Sequence, residues 1–142
     1  ADKKNWVKVP SECGYKEIVK IKPFGEIVAK FDTGNSGMSV IHADDMKVSG
    51  KNVTWSLLGK TLTSPIIRKE EISVGGLRDY DETRYVIKLF VEFLGGLYET
   101  EFTLDDREDR TPILFDREFM SRVNVMVNPD RKYVVTTKYS LD

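Results

Sequence analysis

The sequence predicts an all-β protein, short antiparallel strands closed into a small barrel, with one short helix near its C-terminal end. Three observations carry that expectation. β-rich runs of four to eight residues recur between glycine, proline and asparagine punctuation. From Arg84 to Leu104 apolar and polar residues alternate with a period of two on both sides of Gly95-Gly96. Only Asp116 to Arg122 carries helix chemistry instead. Strands with glycine turns close naturally into a small barrel or a sandwich.

The elements follow in order. Trp6 to Val9 is a short strand candidate closed by Pro10. Glu17 to Lys22 is a β run, and the Pro23-Phe24-Gly25 turn feeds a second strand, Ile27 to Phe31, so the two form a hairpin. Ser39-Val40-Ile41 follows a small polar loop. Val53 to Leu58 and Thr61 to Ile67 flank Gly59-Lys60 as a second hairpin, and Pro65 makes the latter strand an edge or bends it. Tyr85, Ile87, Leu89, Val91 and Phe93 give the strongest strand, and Tyr98 to Leu104 returns after Gly95-Gly96. Asp105 to Arg110 is a charge run read as a solvated loop. Pro112 to Phe115 is a short buried strand. Asp116 then serves as N-cap, with Glu118 early and Arg122 late, as the helix dipole favours. Val123 to Val127 resumes β structure, Asn128-Pro129-Asp130 turns, and Tyr133 to Val135 is a last strand.

Composition narrows the function. A chain of 142 residues fits one domain, 1–142. It is 40% hydrophobic and 32% charged, an ordinary globular balance. Lys plus Arg (22) nearly cancels Asp plus Glu (23), so no global field points to nucleic acid or membrane. Lys3, Lys4 and Lys8 read as a solvated terminus. No apolar run is long enough to span a bilayer and no signal-peptide h-region opens the sequence, so the expected location is cytoplasmic or virion-associated. A lone Cys13 excludes an internal disulfide and reads as an incidental thiol. One histidine, His42, and one cysteine make no common zinc set, so no metal or cofactor is expected, and His42 reads as a strand residue.

The chemistry centres on Asp32-Thr33-Gly34 at the end of the Ile27 to Phe31 strand. A buried strand fixes the backbone behind the carboxylate, the Thr33 hydroxyl can tie down the turn, and Gly34 leaves room for substrate. An ordinary turn is the plain alternative for these residue types. Far downstream come Leu114, Phe115, Asp116 and Arg117, then Glu118-Phe119-Met120. An apolar residue before Asp-Thr-Gly, and an apolar pair, an arginine and a short helix downstream, resemble the retropepsin-like aspartic proteases. The likeness is to the bacterial and phage members often labelled ATP-dependent zinc proteases. Lys30 to Gly34, Arg117 to Met120 and Asn128 to Arg131 follow their layout, and His42-Ala43 echoes their Leu-His-Ala. The sequence offers no zinc ligand set and no phosphate-binding glycine loop to match that label.

The resemblance implies an acid-protease-type barrel and a peptidase with Asp32, Thr33 and Gly34 at its centre. Leu114, Phe115, Asp116 and Arg117 would support the loop. The mechanism needs two carboxylates sharing a proton, and the chain holds one Asp-Thr-Gly, so the expected partner is a second copy, with peptide or protein as substrate. A flap is expected at Ile72 to Leu77, around Gly75 and Gly76. Two departures stand out. Asp116 replaces the family's usual glycine, and Ser36 occupies the place of the acid that often pairs with the downstream arginine. The Asp116 departure and the non-standard Asn35-Ser36-Gly37 loop motivate a rival reading, a catalytically inactive barrel with a structural or interaction role, for example in a viral particle.

Overall fold

The computed structural model describes residues 9–74 and 80–136. Its strands are β1 (Ser11–Ile21), β2 (Gly25–Phe31), β3 (Ser39–His42), β4 (Asp44–Ser49), β5 (Asn52–Leu57) and β6 (Lys60–Pro65). There follow β7 (Arg68–Val74), β8 (Tyr80–Phe93), β9 (Gly96–Asp105), β10 (Ile113–Phe115), α1 (Arg117–Val123) and β11 (Val125–Lys132). Eight strands form one sheet in the order β11-β1-β2-β10-β3-β9-β8-β7, and a bridge between Lys20 and Glu92 joins β1 to β8. The six strands from β1 to β8 in that order thus close on themselves. The all-β, barrel-like expectation with one short C-terminal helix holds. No helix among the described residues is long and apolar enough to cross a membrane.

The turn chemistry explains the hairpins. β1 pairs antiparallel with β2 from Lys16–Lys30 to Ile21–Gly25, and Gly25 sits at φ +84°, where a side chain would strain the backbone. Leu94 and Gly95, both at positive φ, make the two-residue turn between β8 and β9, as the right-handed twist of a hairpin favours. β5 and β6 pair around Leu58-Gly59, and β6 ends at Pro65 on the edge of a separate three-stranded sheet, β4-β5-β6. Past Pro65 the Ile67 N–H donates to the Val86 carbonyl and the chain joins the larger sheet as β7.

The core lies inside the ring. Val19, Ile21, Ile27, Ala29, Phe31, Ile41, Ile87, Val91, Phe102, Ile113 and Phe115 point into it. Near the end of β2 the filling is aromatic. Phe31 lies 5.6 Å from Phe93, 5.3 Å from Phe115 and 6.3 Å from Phe119 by ring centroids, and Phe115 stacks on Phe119 at 3.8 Å. The residue before Asp32 is therefore locked by packing.

Four features differ from the sequence expectation. β4 was not foreseen; its residues are all exposed, and its alternation is only the short pair Met46 and Val48 between polar residues. The Asn128-Pro129-Asp130 turn is instead a bulge inside β11. The register jumps from Gly14–Asn128 to Lys16–Lys132, and the Asp130 N–H folds back onto Asn128 Oδ1. Tyr133 to Val135 form no strand, because the N–H groups of Val134, Val135 and Thr136 all donate to the carboxylate of Glu17. Within the charge run, Arg107 is buried rather than solvated. The Trp6 to Val9 strand lies outside the described residues except for Val9, which is not in a strand. The flap glycines Gly75 and Gly76 also lie outside them. The strands on either side of those glycines, β7 and β8, pair from Arg68–Val86 to Val74–Tyr80.

Candidate active site

β2 delivers Asp32 to the surface beside β10, and the Asp32 N–H donates to the Phe115 carbonyl at 3.1 Å. The carboxylate folds onto its own turn, with Oδ1 accepting from the Gly34 N–H at 3.0 Å. Asn35 continues the clamp. Its N–H donates to the Asp32 carbonyl, its side-chain amide donates to the Met38 carbonyl, and its Oδ1 accepts from the Gly37 N–H. The Asn35 carbonyl accepts from the Arg117 N–H at 2.9 Å, tying the loop to the start of α1. The Thr33 hydroxyl makes no hydrogen bond among the described residues; Asp32 and Asn35 hold the turn in its place.

Asp116 resolves the first departure. It caps α1, accepting at Oδ1 from the Phe119 N–H at 2.9 Å. It also exchanges two bonds with Ser39. The Ser39 hydroxyl donates to Asp116 Oδ1 at 3.2 Å and accepts from the Asp116 N–H at 3.1 Å. The aspartate is buried and satisfied, so it fixes α1 to β3 beneath the loop. Arg117 is exposed, and no ion pair of its guanidinium occurs among the described residues. The missing acid at Ser36 is thus not replaced by another.

Asp32 opens onto a cleft of about 660 Å³. Its floor is Leu114, Val40 and Thr103, the outward residues of β10, β3 and β9, and its far wall is the β7–β8 hairpin with Arg68, Glu70 and Arg84. A second cavity of about 430 Å³ shares Gly37, Met38 and Arg68 with it and runs on toward Asp116 and Arg122. The two cavities meet beside Gly37, Met38 and Arg68. Thr33 and Arg117 lie outside this cleft, beside a shallower one with Met120 and Met126.

The cations of the far wall are fixed by acids. Arg68 donates from Nε to Glu70 and from Nη1 to Glu101, each at 2.7 Å, and these bonds push its guanidinium above the ordinary arginine value. Arg84 reaches Glu82 at 3.1 Å and Asp105 at 3.4 Å. Behind them, burial pushes the Arg107 guanidinium down and Arg110 adds to that, while Asp105 opposes; Arg84 lowers it further and Asp32 raises it. Arg107 is held by its Nε bond to the Thr111 carbonyl at 2.6 Å.

His42 is a strand residue, as expected. Its Nδ1 accepts from the Arg107 N–H at 2.9 Å, which assigns the ring proton to Nε2, donated to Asp44 at 2.8 Å. Asp106 also lies within reach of the ring, 3.7 Å from Nδ1, but the two carboxylates sit against opposite nitrogens, and neither nitrogen offers a free lone pair to a cation. This buried histidine–arginine contact is not legible in the sequence, because Arg107 sits in a charge run that reads as solvated and lies 65 positions from His42.

Comparison with known proteins agrees with the geometry. The RimB-like family, described as retropepsin-like aspartic endopeptidase RimB, matches residues 12–138. Among solved structures, the protein Lpg0085 of Legionella pneumophila subsp. pneumophila str. Philadelphia 1, of unknown function, superposes with a TM-score of 0.69 at 18% identity. The superposition covers 87% of this chain and 97% of that one, and at this identity it speaks for the fold alone. No curated protein matches the chain. With the family matched from the first residues of β1 to beyond the described end, this chain belongs to the RimB-like family of retropepsin-like aspartic endopeptidases.

Proposed function

We propose that the protein is an aspartic endopeptidase whose catalytic pair is Asp32 from each of two copies. The observation that carries this reading is the placement of Asp32. It ends a strand locked in an aromatic core, its carboxylate is aimed by the Gly34 N–H, and it opens onto the cleft walled by the β7–β8 hairpin. Glu70, the other acid lining that cleft, is held by Arg68 as its counter-ion, so it is not a free second carboxylate.

Two apposed Asp32 carboxyls would share one proton, because like charges so close cannot both ionise. The ionised one takes a proton from a bound water, which attacks the scissile carbonyl. The protonated one donates to the carbonyl oxygen, and the pair then returns a proton to the leaving amine. Substrate would lie extended along the cleft, bonded through its backbone. The second copy would meet the face beside Thr33, Arg117 and Met126. Met126 is exposed there, and β11 pairs with β1 alone among the described residues, leaving an open edge. The rival, an inactive barrel, drew on Asp116 and on the Asn35-Ser36-Gly37 loop; a satisfied helix cap removes the first reason, and the second stands, since no acid pairs Arg117 among the described residues.

The test compares wild type with Asp32→Asn on an unbiased peptide mixture between about pH 4 and 7, read by mass spectrometry, with melting curves of both. Cleavage lost in the variant with folding retained is expected, and wild-type activity should fall faster than linearly on dilution. Equal cleavage by both proteins, or full activity from a demonstrated monomer, would overturn the reading.

A further inference from the structure

A second groove lies at the opposite end of β2. The strand begins at Gly25 and delivers Asp32 at its far end, about 23 Å away at the usual rise per residue. This groove, about 760 Å³, runs along the seam where β1 meets β8. The seam is held by one bridge, Lys20–Glu92. Among the described residues β8 from Ile87 to Val91 has only β9 as a ladder partner, so its other edge is not hydrogen-bonded to a strand. Phe90 and Leu97 are 55% and 67% exposed on the groove's apolar wall. Alternation along β8 places Val91 and Phe93 in the core and leaves Phe90 outside, where an aromatic ring in water gains nothing for folding.

Three lysines and one glutamate line this groove, and Lys20 stands across the ladders from Glu26 and Glu92. Lys20 and Lys22 line the groove, and neither forms an ion pair among the described residues. Lys88, also on the rim, is already bonded to Glu99. Glu92 is the single acid lining the groove. An apolar floor, an open strand edge and unpaired lysines fit one kind of occupant. We infer that the β1–β8 groove docks an extended segment of a partner protein in which acidic and apolar side chains alternate. Its backbone would add to the open edge of β8, its apolar side chains would cover Phe90 and Leu97, and its carboxylates would meet Lys20 and Lys22. The inference goes beyond peptide hydrolysis at Asp32 and stands independently of it.

The experiment uses the full chain and a fluorescein-labelled ten-residue peptide of alternating glutamate and leucine, read by anisotropy. Two controls replace glutamate by lysine or leucine by glutamate. The alternating peptide should bind, more weakly as salt rises, and both controls should bind at least about tenfold more weakly. Phe90→Ser, and Lys20→Glu with Lys22→Glu, should each weaken binding about tenfold with unchanged melting temperature, whereas Asp32→Asn should leave it unaltered. No binding, binding insensitive to the groove variants, or loss on Asp32→Asn would overturn the proposal. So would equal binding of the all-glutamate peptide, or sedimentation showing a self-association that Phe90→Ser abolishes, since a second copy would then be the occupant.

Discussion

Glu17→Gln should be among the most destabilising single changes in the protein. Glu17 is fully buried on β1, with no cation among its bonded partners. Five donors replace water around it. Oε2 accepts from the N–H groups of Gly14 at 2.6 Å, Val134 at 2.9 Å and Val135 at 3.3 Å. Oε1 accepts from the Thr136 N–H at 3.1 Å and its hydroxyl at 2.6 Å. Glutamine fits the same volume but presents one NH₂ group to donors. It costs least on the Oε1 side, where the Thr136 hydroxyl can turn to accept, and there one backbone N–H is still orphaned, at about 1–3 kcal/mol. The remaining bonds lose their charge assistance, roughly 1 kcal/mol each where geometry is good. Against this, burying a neutral amide avoids the desolvation of a charge. Because the donors are fixed in place whether or not the charge is there, the loss should win, by about 2–4 kcal/mol. For a chain of this size that lowers the melting temperature by roughly 6–15 °C. Urea unfolding followed by fluorescence measures it, with Thr136→Val as a companion that removes one bond to Glu17 and the acceptor of the Ile18 N–H. A Glu17→Gln protein as stable as wild type, or more stable, would refute the reasoning.

Three further outcomes follow from the same structure. A Cβ at Gly14 would stand 2.5 Å from the Arg131 carbonyl oxygen and 2.9 Å from the Lys132 Cα, both backbone, so Gly14→Ala must open the β1–β11 bulge and should cost about 1–3 kcal/mol in urea unfolding. Asp116→Ala removes the cap of α1 and the acceptor of the Ser39 hydroxyl, and should cost about 1–2 kcal/mol; an unchanged urea midpoint would count against the capping role. Burial pushes the Cys13 thiol up to about 12, with Glu17 and Glu12 adding to it, so native protein should react negligibly with a thiol reagent at neutral pH and fully in urea. The folded value lies above the unfolded one, so this contribution to stability is complete below about pH 9 and is lost as pH rises toward 12. Cys13→Ala should therefore flatten the alkaline loss of stability.

What the sequence disclosed was local, and what it concealed was long-range. Gly25, Gly59 and Gly95 mark hairpins within a few residues of the strands they join, and the cap chemistry of Asp116 is spelled out by its own helix. The Asp32 turn was legible for the same reason, since a strand and the turn after it are contiguous. Glu17 was not legible. In the run Glu17-Ile18-Val19-Lys20 a charge on a strand reads as a solvent-facing position, and only the arrival of residues 133–136 turns it into a buried anchor. The Tyr133 to Val135 strand failed because Tyr133 turns at φ +52° and the N–H groups of Val134 and Val135 are taken by a carboxylate more than a hundred positions away. Asn128-Pro129-Asp130 kept its turn chemistry but spent it inside a ladder, where Gly14 on the facing strand lets the extra residues pass.

The cleft walls show the same division at the site itself. Asp32, Gly34 and Leu114 come from segments a motif can announce. Arg68, Glu70 and Arg84 come from a hairpin whose contact with the Asp32 loop depends on β3 lying between β10 and β9 in the sheet. That strand order is set by where apolar faces meet, not by any residue of the hairpin, so no local pattern could have placed its arginines opposite the carboxylate. Each of them is also held by acids from other strands, Arg68 by Glu101 and Arg84 by Asp105. A substitution at Glu101 or Asp105 should therefore reach the cleft through the arginine it fixes, although neither acid lines the cleft around Asp32. The Asp32 turn is written in one contiguous loop, while the walls of the cleft it opens onto are assembled by topology.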